Sequence, residues 1–195
     1  WADAHRMLGS RASAEPGRYR TSRTPYMREI MDALSPVSPV QRVVFDLGGV
    51  FFRWEPLVLL EQVFPQEARD AARAAHLARA IFQNFDHGSD WALFDQGHIE
   101  PRPLAVRIAR RTGLREADLL ALMDAIPGHM VVHRGTVDLL LALQQRGLPL
   151  YFLSNMPGCY AQWLEDSHRF FDVFTDGMFS GRVGQIKPDA AIFAT

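Results

Sequence analysis

The chain has 195 residues, 48% hydrophobic content and a formal net charge of −1, which together indicate one globular domain with room for an insertion. With this net charge, the chain as a whole would not attract nucleic acid or an anionic membrane. The sequence contains no run of about 18 apolar residues that would predict a membrane span. Cys159 is the only cysteine, so an internal disulfide is excluded and a reducing, cytoplasmic location is expected. Lys187 is the only lysine among the 21 basic residues.

Residues 1–40 contain scattered arginine, serine, alanine and proline and little that could form a core. We interpret them as a disordered or incidental N-terminal extension. The composition is also typical of a transit peptide, although Asp3 and Glu15 argue against one. A third alternative is that the working protein begins at Met27 or Met31.

The first predicted strand covers Gln41 to Asp46 and ends in a carboxylate. Gly48 and Gly49 follow and allow a sharp turn. In open α/β sheets, ligands bind beyond the carboxyl ends of the strands, so Asp46 lies where a catalytic nucleophile could lie. The alternative is a strand-ending aspartate that caps a turn.

Residues 55–127 are predicted to be almost entirely helical and to form an inserted helical domain. The segment 68–75 is a strong helix former, and the helix predicted over 103–111 ends at Gly113. A further helix is predicted over 116–124, with no strand pattern in between. The remaining segments, 41–54 and 128–195, are predicted to form an α/β core.

The α/β pattern returns after this insertion. A helix over 135–145 precedes a strand over 148–153 that runs into Ser154 and Asn155. A helix over 160–170, a strand within 173–179 and a turn over 180–184 lead to the following residues, Lys187 and Pro188.

Three features then stand in one order along the chain. Asp46 ends one strand, Ser154 and Asn155 end another, and Lys187 precedes a proline and a predicted helix start. Each feature alone is weak. Together they supply a carboxylate nucleophile, a hydroxyl beside a backbone N–H, and a cation, which suits displacement at an anionic centre.

In these motifs the sequence closely resembles the haloacid dehalogenase superfamily, over about residues 43–193. The stretches 45–50, 153–155 and 184–189 resemble the first three motifs of that family, in order. The helical insertion resembles the family's C1-type cap, including Trp91 and the stretch 94–97. Among branches, the sequence looks most like small phosphatases that act on sugar phosphates such as glucose 1-phosphate. The resemblance implies a Rossmann-like core with a parallel sheet and an inserted helical cap.

The resemblance also implies a mechanism. Asp46 would attack phosphorus and form an aspartyl-phosphate, which water then hydrolyses. Ser154 Oγ and the Asn155 backbone N–H would hold phosphoryl oxygens, and Lys187 would offset negative charge. Mg²⁺ would be bound by Asp46 and the main-chain carbonyl of Gly48, an oxygen-only set that fits this cation. The expected partner is a small phosphorylated metabolite, with no nucleic acid and no membrane.

Gly48 departs from the pattern of most phosphatases in the family, which place a second aspartate at this position as general acid. General acid–base help contributes about 10²–10⁴-fold, so another group or an easily departing leaving group must replace it. An anomeric sugar oxygen departs more easily than an ordinary alkoxide, which favours sugar 1-phosphates. Metal-independent 2-haloacid dehalogenases of the family also lack this aspartate and are the alternative. The sequence Gly48–Gly49–Val50 nevertheless favours the phosphatase.

A second departure concerns the family's fourth motif, an acidic pair on a later strand that completes the Mg²⁺ site. Only eight residues follow Lys187 and none supplies that pair. We therefore expect the sequence to be a C-terminal truncation and a weak enzyme, with the first strand left as an apolar edge. A non-catalytic binding module is the remaining alternative.

Two groups of residues resemble metal sites and are set aside. The first lies in the cap and is better explained by pocket lining or by solvated loops: Asp86, His87, Asp90, Asp95 and His98. His129 and His133 have the i, i+4 spacing of a helical zinc site. Pro127 and Gly128 indicate that this segment is not a regular helix.

Overall fold

The computed structural model describes residues 42–194 and, before them, only Met7–Leu8 and Gly17–Arg18. These two short segments, β1 and β2, pair antiparallel. The rest of the predicted 1–40 extension lies outside the described residues. The chain divides into two compact units, 1–43 and 44–195, and the candidate site belongs to the second.

The central sheet has three strands in the order β3 (Val43–Phe45), β6 (Leu150–Ser154) and β7 (Asp176–Phe179). Strands β6 and β7 run parallel, with Ser154 opposite Phe179. In the described part of the chain β3 lies at the edge of this sheet, and its Val44 side chain is 62% exposed. The predicted α/β class with a parallel sheet is confirmed.

A second, two-stranded ladder joins both ends of the helical insertion. Strand β4 (Phe52–Arg53) pairs antiparallel with β5 (Val131–Val132), so the chain enters and leaves the insertion side by side. The sequence pattern does not predict β5. A two-residue strand that follows a helix has too little pattern of its own to be recognised.

Five helices fill the insertion: α1 (Pro56–Val63), α2 (Ala71–Phe82), α3 (Asp90–Asp95), α4 (Pro101–Thr112) and α5 (Glu116–His129). Their start signals are local. Asp70 caps α2 by accepting a hydrogen bond from the Arg73 N–H, and Ser89 caps α3 by accepting one from the Ala92 N–H. Helix α4 ends at Gly113 in the left-handed conformation, as predicted.

His129 and His133 do not share one regular helix, as predicted, because strand β5 lies between them. Helix α5 is nevertheless not broken by its proline. It continues through Pro127 and Gly128 to His129, because buried Leu122, Met123 and Ile126 hold its inner face. Tertiary packing therefore outweighs the local helix-breaking signal of the proline.

After the insertion the chain builds the core in α6 (Arg134–Gln145), β6, α7 (Gly158–Ser167), β7 and α8 (Ser180–Val183). Helix α7 stops at Ser167, and a 3₁₀ turn covers Arg169–Val173, where the sequence predicted one helix to 170. The predicted turn over 180–184 contains α8, a single helical turn that ends at Gly184.

Two clusters of aromatic rings lie in different parts of this structure. The core cluster supports the sheet and consists of Phe45, Phe51, Phe52, Phe152, Phe170, Phe171, Phe174 and Phe179. The cap cluster stands mainly on the inserted helices and consists of Trp54, Phe82, Phe85, Trp91, Phe94 and Tyr160. Only the cap cluster contributes rings to the cavity described next.

Candidate active site

Asp46 directly follows β3 and lies at the centre of a charged cluster. Its Oδ1 accepts hydrogen bonds from the Leu47 N–H (2.7 Å) and from Ser154 Oγ (2.9 Å). Its Oδ2 lies 2.6 Å from the Lys187 Nζ. The structure therefore brings Asp46 together with two side chains that lie more than a hundred residues further along the sequence.

Lys187 is held in place by its own backbone as well as by its charge. Its Nζ also donates a hydrogen bond to the Leu153 carbonyl at 2.9 Å, at the end of β6. Its N–H donates to Asn155 Oδ1 (2.8 Å), while Asn155 Nδ2 donates to the Lys187 carbonyl (3.0 Å). The Asn155 side chain is thus a clamp on the Lys187 backbone. The sequence pattern predicts a role only for the Asn155 backbone N–H, not for its side chain. The Lys187–Pro188 peptide bond is cis.

The two predicted metal ligands, Asp46 and Gly48, line one cavity. They offer a carboxylate and a main-chain carbonyl, a hard oxygen set that fits Mg²⁺, which commonly keeps several waters and substrate oxygens as further ligands. Within residues 42–194 no group of three or more histidine, cysteine or acidic side chains could hold a metal ion. The described part of the chain therefore offers these two ligands without a larger protein cage.

The cavity has a volume of about 360 Å³, at the lower end of the range typical of small-molecule sites. One end holds Asp46, Gly48 and Asn155, and the rest is lined mainly by apolar and aromatic side chains. Four of these belong to the cap cluster: Trp54, Phe85, Trp91 and Tyr160. The Tyr160 hydroxyl donates to the Met123 carbonyl (2.9 Å), so its proton is already engaged.

Phe85 reaches the cavity through unusual backbone geometry. Gln83, Asn84 and Phe85 have φ angles of 51°, 54° and 58°, all in the left-handed region. This conformation costs a non-glycine residue roughly 1–2 kcal/mol, and such outliers often occur at ligand sites. Phe85 stacks on Phe82 while remaining 44% exposed. The strained turn thus presents an aromatic ring to the cavity.

Asp95 is the second carboxylate of the cavity and lies at the end of α3. Burial raises the pKa of Asp95 to about 7, because water is largely excluded from its side chain. The sequence grouped Asp95 with nearby acids and histidines as cavity lining or solvated loop. The structure separates them: Asp90 binds Arg107 and Arg111 on α4, and His87 pairs with Asp189.

The solved structures that resemble this chain share the haloacid dehalogenase fold. A curated relative, the sesquiterpene phosphatase astK of Aspergillus oryzae, is 24% identical over 151 residues, which cover 77% of this chain and 69% of the relative. The structure is similar to a haloacid dehalogenase family enzyme of Bacteroides thetaiotaomicron in complex with magnesium and inorganic phosphate. That match has a TM-score of 0.57 and 20% identity, over 80% of this chain and 76% of the other.

An L-2-haloacid dehalogenase of Xanthobacter autotrophicus with covalently bound chloropropionic acid gives a TM-score of 0.54 at 17% identity, over 80% of this chain and 62% of the other. One family model also matches, the ATPase domain of the phage terminase large subunit gpA, over residues 13–49 only. That segment contains no lysine and so cannot supply the phosphate-binding lysine of a P-loop. In residues 42–194 no helix has the length and apolarity needed to cross a bilayer.

Proposed function

We propose that this chain, a hydrolase with the haloacid dehalogenase fold, is a phosphomonoesterase that acts through an aspartyl-phosphate on Asp46. The observation that carries the proposal is the meeting of Asp46, Ser154 and Lys187 at the carboxyl ends of β3 and β6. A curated phosphatase among the relatives supports it. The expected partner is a small phosphorylated compound.

In the proposed first step, Asp46 attacks phosphorus and the ester oxygen departs. Ser154 Oγ and the Asn155 N–H hold phosphoryl oxygens, and the Lys187 ammonium offsets the negative charge that Asp46 and the phosphate bring together. Asp46 and the Gly48 carbonyl would hold Mg²⁺, which screens phosphoryl charge when bound. Water then attacks the aspartyl-phosphate and restores the Asp46 carboxylate.

The leaving group has two candidates. The sequence favours a sugar, since an anomeric oxygen departs readily. The cavity favours an apolar alcohol, because Trp54, Phe85 and Trp91 offer contact area but few partners for sugar hydroxyls. A polar group buried without a partner costs about 1–3 kcal/mol, so an unmatched sugar would bind weakly. The sesquiterpene phosphatase relative supports the apolar alternative.

A substrate panel tests the proposal on the 195-residue chain. We expect phosphate release from geranyl phosphate with Mg²⁺, and its loss when EDTA removes the metal. Glucose 1-phosphate in the same assay decides between the leaving groups: a higher kcat/KM for the sugar ester would overturn the apolar preference while leaving the phosphatase proposal intact.

The second candidate function is 2-haloacid dehalogenation, in which Asp46 attacks carbon. Gly48 favours it, because those enzymes also lack an aspartate at this position, and a dehalogenase is among the similar structures. Chloride release from 2-chloropropionate in the presence of EDTA, without phosphate release from any ester, would replace the phosphatase proposal with this one.

A further inference from the structure

The cavity contains a carboxylate that the proposed mechanism has not used. Asp95 is 9% exposed and lines the same cavity as Asp46 and Gly48, but it belongs to the cap. The mechanism in turn lacks one component: Gly48 offers no side chain to protonate the departing alkoxide. Resting on the proposed phosphatase function, the geometry points to Asp95 as the general acid that replaces the side chain missing at position 48.

Asp95 is fixed to the core although it belongs to the cap. Its carbonyl accepts a hydrogen bond from Ser180 Oγ at 2.5 Å, and the same Oγ accepts one from the Met156 N–H at 2.8 Å. Ser180 is fully buried. The end of α3 is therefore held against the segments that follow β6 and β7, the strands whose ends form the site.

Two glycines allow this close approach. A Cβ atom on Gly97 would lie 2.5 Å from the Gly181 carbonyl oxygen, and one on Gly181 would lie 2.5 Å from the Gly158 nitrogen. Real side chains do not tolerate such distances, so only glycine fits at both positions. The backbone beside Asp95 is consequently in rigid contact with the core, which favours a side chain with a fixed position in the cavity.

The other ionisable side chains of the cavity have different roles. Asp46 is the proposed nucleophile, and its oxygens are engaged by Lys187 and Ser154. The Tyr160 hydroxyl donates to the Met123 carbonyl, and burial raises the pKa of Tyr160 well above its usual range. Burial instead raises the pKa of Asp95 to about 7, the range suited to a group that donates and later accepts a proton. Among the described residues that line the cavity, it is the remaining titratable group.

The proton balance closes over the two steps. In the first, the bond from phosphorus to the ester oxygen breaks, the bond to Asp46 Oδ forms, and the Asp95 proton passes to the departing oxygen. In the second, water attacks phosphorus, one water proton passes to the Asp95 carboxylate, and the bond from phosphorus to Asp46 breaks. Inorganic phosphate leaves with the other proton, and both side chains return to their starting states.

The test compares two esters in the Asp95→Asn chain. A general acid matters for geranyl phosphate, whose alkoxide departs poorly, and little for p-nitrophenyl phosphate, whose nitrophenolate departs without a proton. We expect kcat/KM for geranyl phosphate to fall about 10²–10⁴-fold and that for p-nitrophenyl phosphate to fall less than about 10-fold. Asp95→Glu should restore part of the loss, and Asp124→Asn, at an exposed carboxylate of α5, serves as the matched control.

The outcomes separate the two proposals. Equal losses on both esters, or no loss on either, would overturn the role of Asp95 as general acid while Mg²⁺-dependent turnover by the wild type still supports the phosphatase. If Asp95→Asn fails to fold, as judged by circular dichroism, the same two-ester comparison is made with Asp95→Glu. Displacing the acid by one methylene should also lower kcat/KM for geranyl phosphate more than kcat/KM for p-nitrophenyl phosphate. A wild-type chain that cleaves neither ester would refute the phosphatase proposal itself.

Discussion

The two ends of the cavity are built on different principles. At the core end, Asp46 lines the cavity, and Ser154 and Lys187 lie behind it within 2.6–2.9 Å of its carboxylate. At the cap end, Trp54 lies between β4 and α1, Phe85 on the strained turn and Trp91 on α3. Their ring contacts have 4.6–6.3 Å between centroids. In the proposed function, the core end acts on the bond to phosphorus and the cap end selects the leaving group.

Asp95 is the exception to this division. It lies on the cap, yet Ser180 and the glycine contact between Gly97 and Gly181 fix it to the core. A cap that both selects the leaving group and protonates it would couple specificity to chemistry.

Asp46→Asn should have the largest effect, because it removes the nucleophile at the core end while keeping an oxygen that can accept from Ser154. We expect kcat for p-nitrophenyl phosphate to fall by at least about 10⁴-fold. Steady-state phosphate release measures it, with Asp138→Asn on exposed α6 as the control. A variant that retains a tenth of wild-type turnover would show that Asp46 is not the nucleophile.

Asp95→Asn should change how stability depends on pH. Folding raises the pKa of Asp95 from 3.8 to about 7, so the folded chain binds this proton more tightly than the unfolded chain does. The contribution of Asp95 to the free energy of unfolding is therefore fully present below about pH 4, and it is lost as the pH rises through the pKa of the folded state. The loss amounts to at most about 4 kcal/mol.

Urea unfolding of both chains between pH 4 and pH 8 measures this difference. Each histidine, as well as Tyr160 across the cavity, is common to both chains, so the difference between them isolates Asp95. We expect the free energy of unfolding of Asp95→Asn to rise relative to wild type as pH increases. Parallel curves would contradict the raised pKa and weaken the case for a proton-donating Asp95.

Lys187→Met should impair the core end without disturbing the cap end. It removes the cation 2.6 Å from Asp46 Oδ2 but keeps the backbone that Asn155 clamps. We expect kcat to fall about 10²–10³-fold, the usual cost of losing one group that stabilises developing charge. Lys187→Arg retains the charge and should recover part of the activity. If Lys187→Met kept wild-type kcat, Lys187 would have only a structural role.

Phe85→Ala should have the smallest effect and should act on the cap end alone. The ring contributes about 1 kcal/mol of contact with an apolar leaving group, so KM for geranyl phosphate should rise roughly fivefold. KM for glucose 1-phosphate should change less. Phe193→Ala removes an exposed ring outside the cavity and is the matched control. A larger rise for the sugar ester would indicate that this wall binds sugars.

Much of the core end was predictable because its signals are local. An apolar run that ends in Asp46, another that ends in Ser154, and a lone Lys187 before a proline each identify a strand end or turn, and parallel strands bring such ends to one edge. The clamp formed by Asn155 was not predictable, because a hydrogen bond to a residue 32 positions away leaves no mark in the local pattern.

The cap end was predictable only as helices. Helical propensity and capping residues place α2, α3 and α4 along the chain, but they do not reveal which faces enclose a cavity or that α5 continues past Pro127. Asp95 shows the limit most clearly. In the sequence it is one acid among several, and its environment depends on Ser180 and Gly181, which lie 85 or more residues further on.

The order of the chemical groups, the α/β class and the position of the helical insertion follow from the sequence alone, because strand ends, turns and helix caps depend on neighbouring residues. The pairing of Lys187 with Asp46, the aromatic lining of the cavity and the burial of Asp95 become visible only in the folded chain. Those properties arise from contacts between distant segments and from the exclusion of water, and packing sets both.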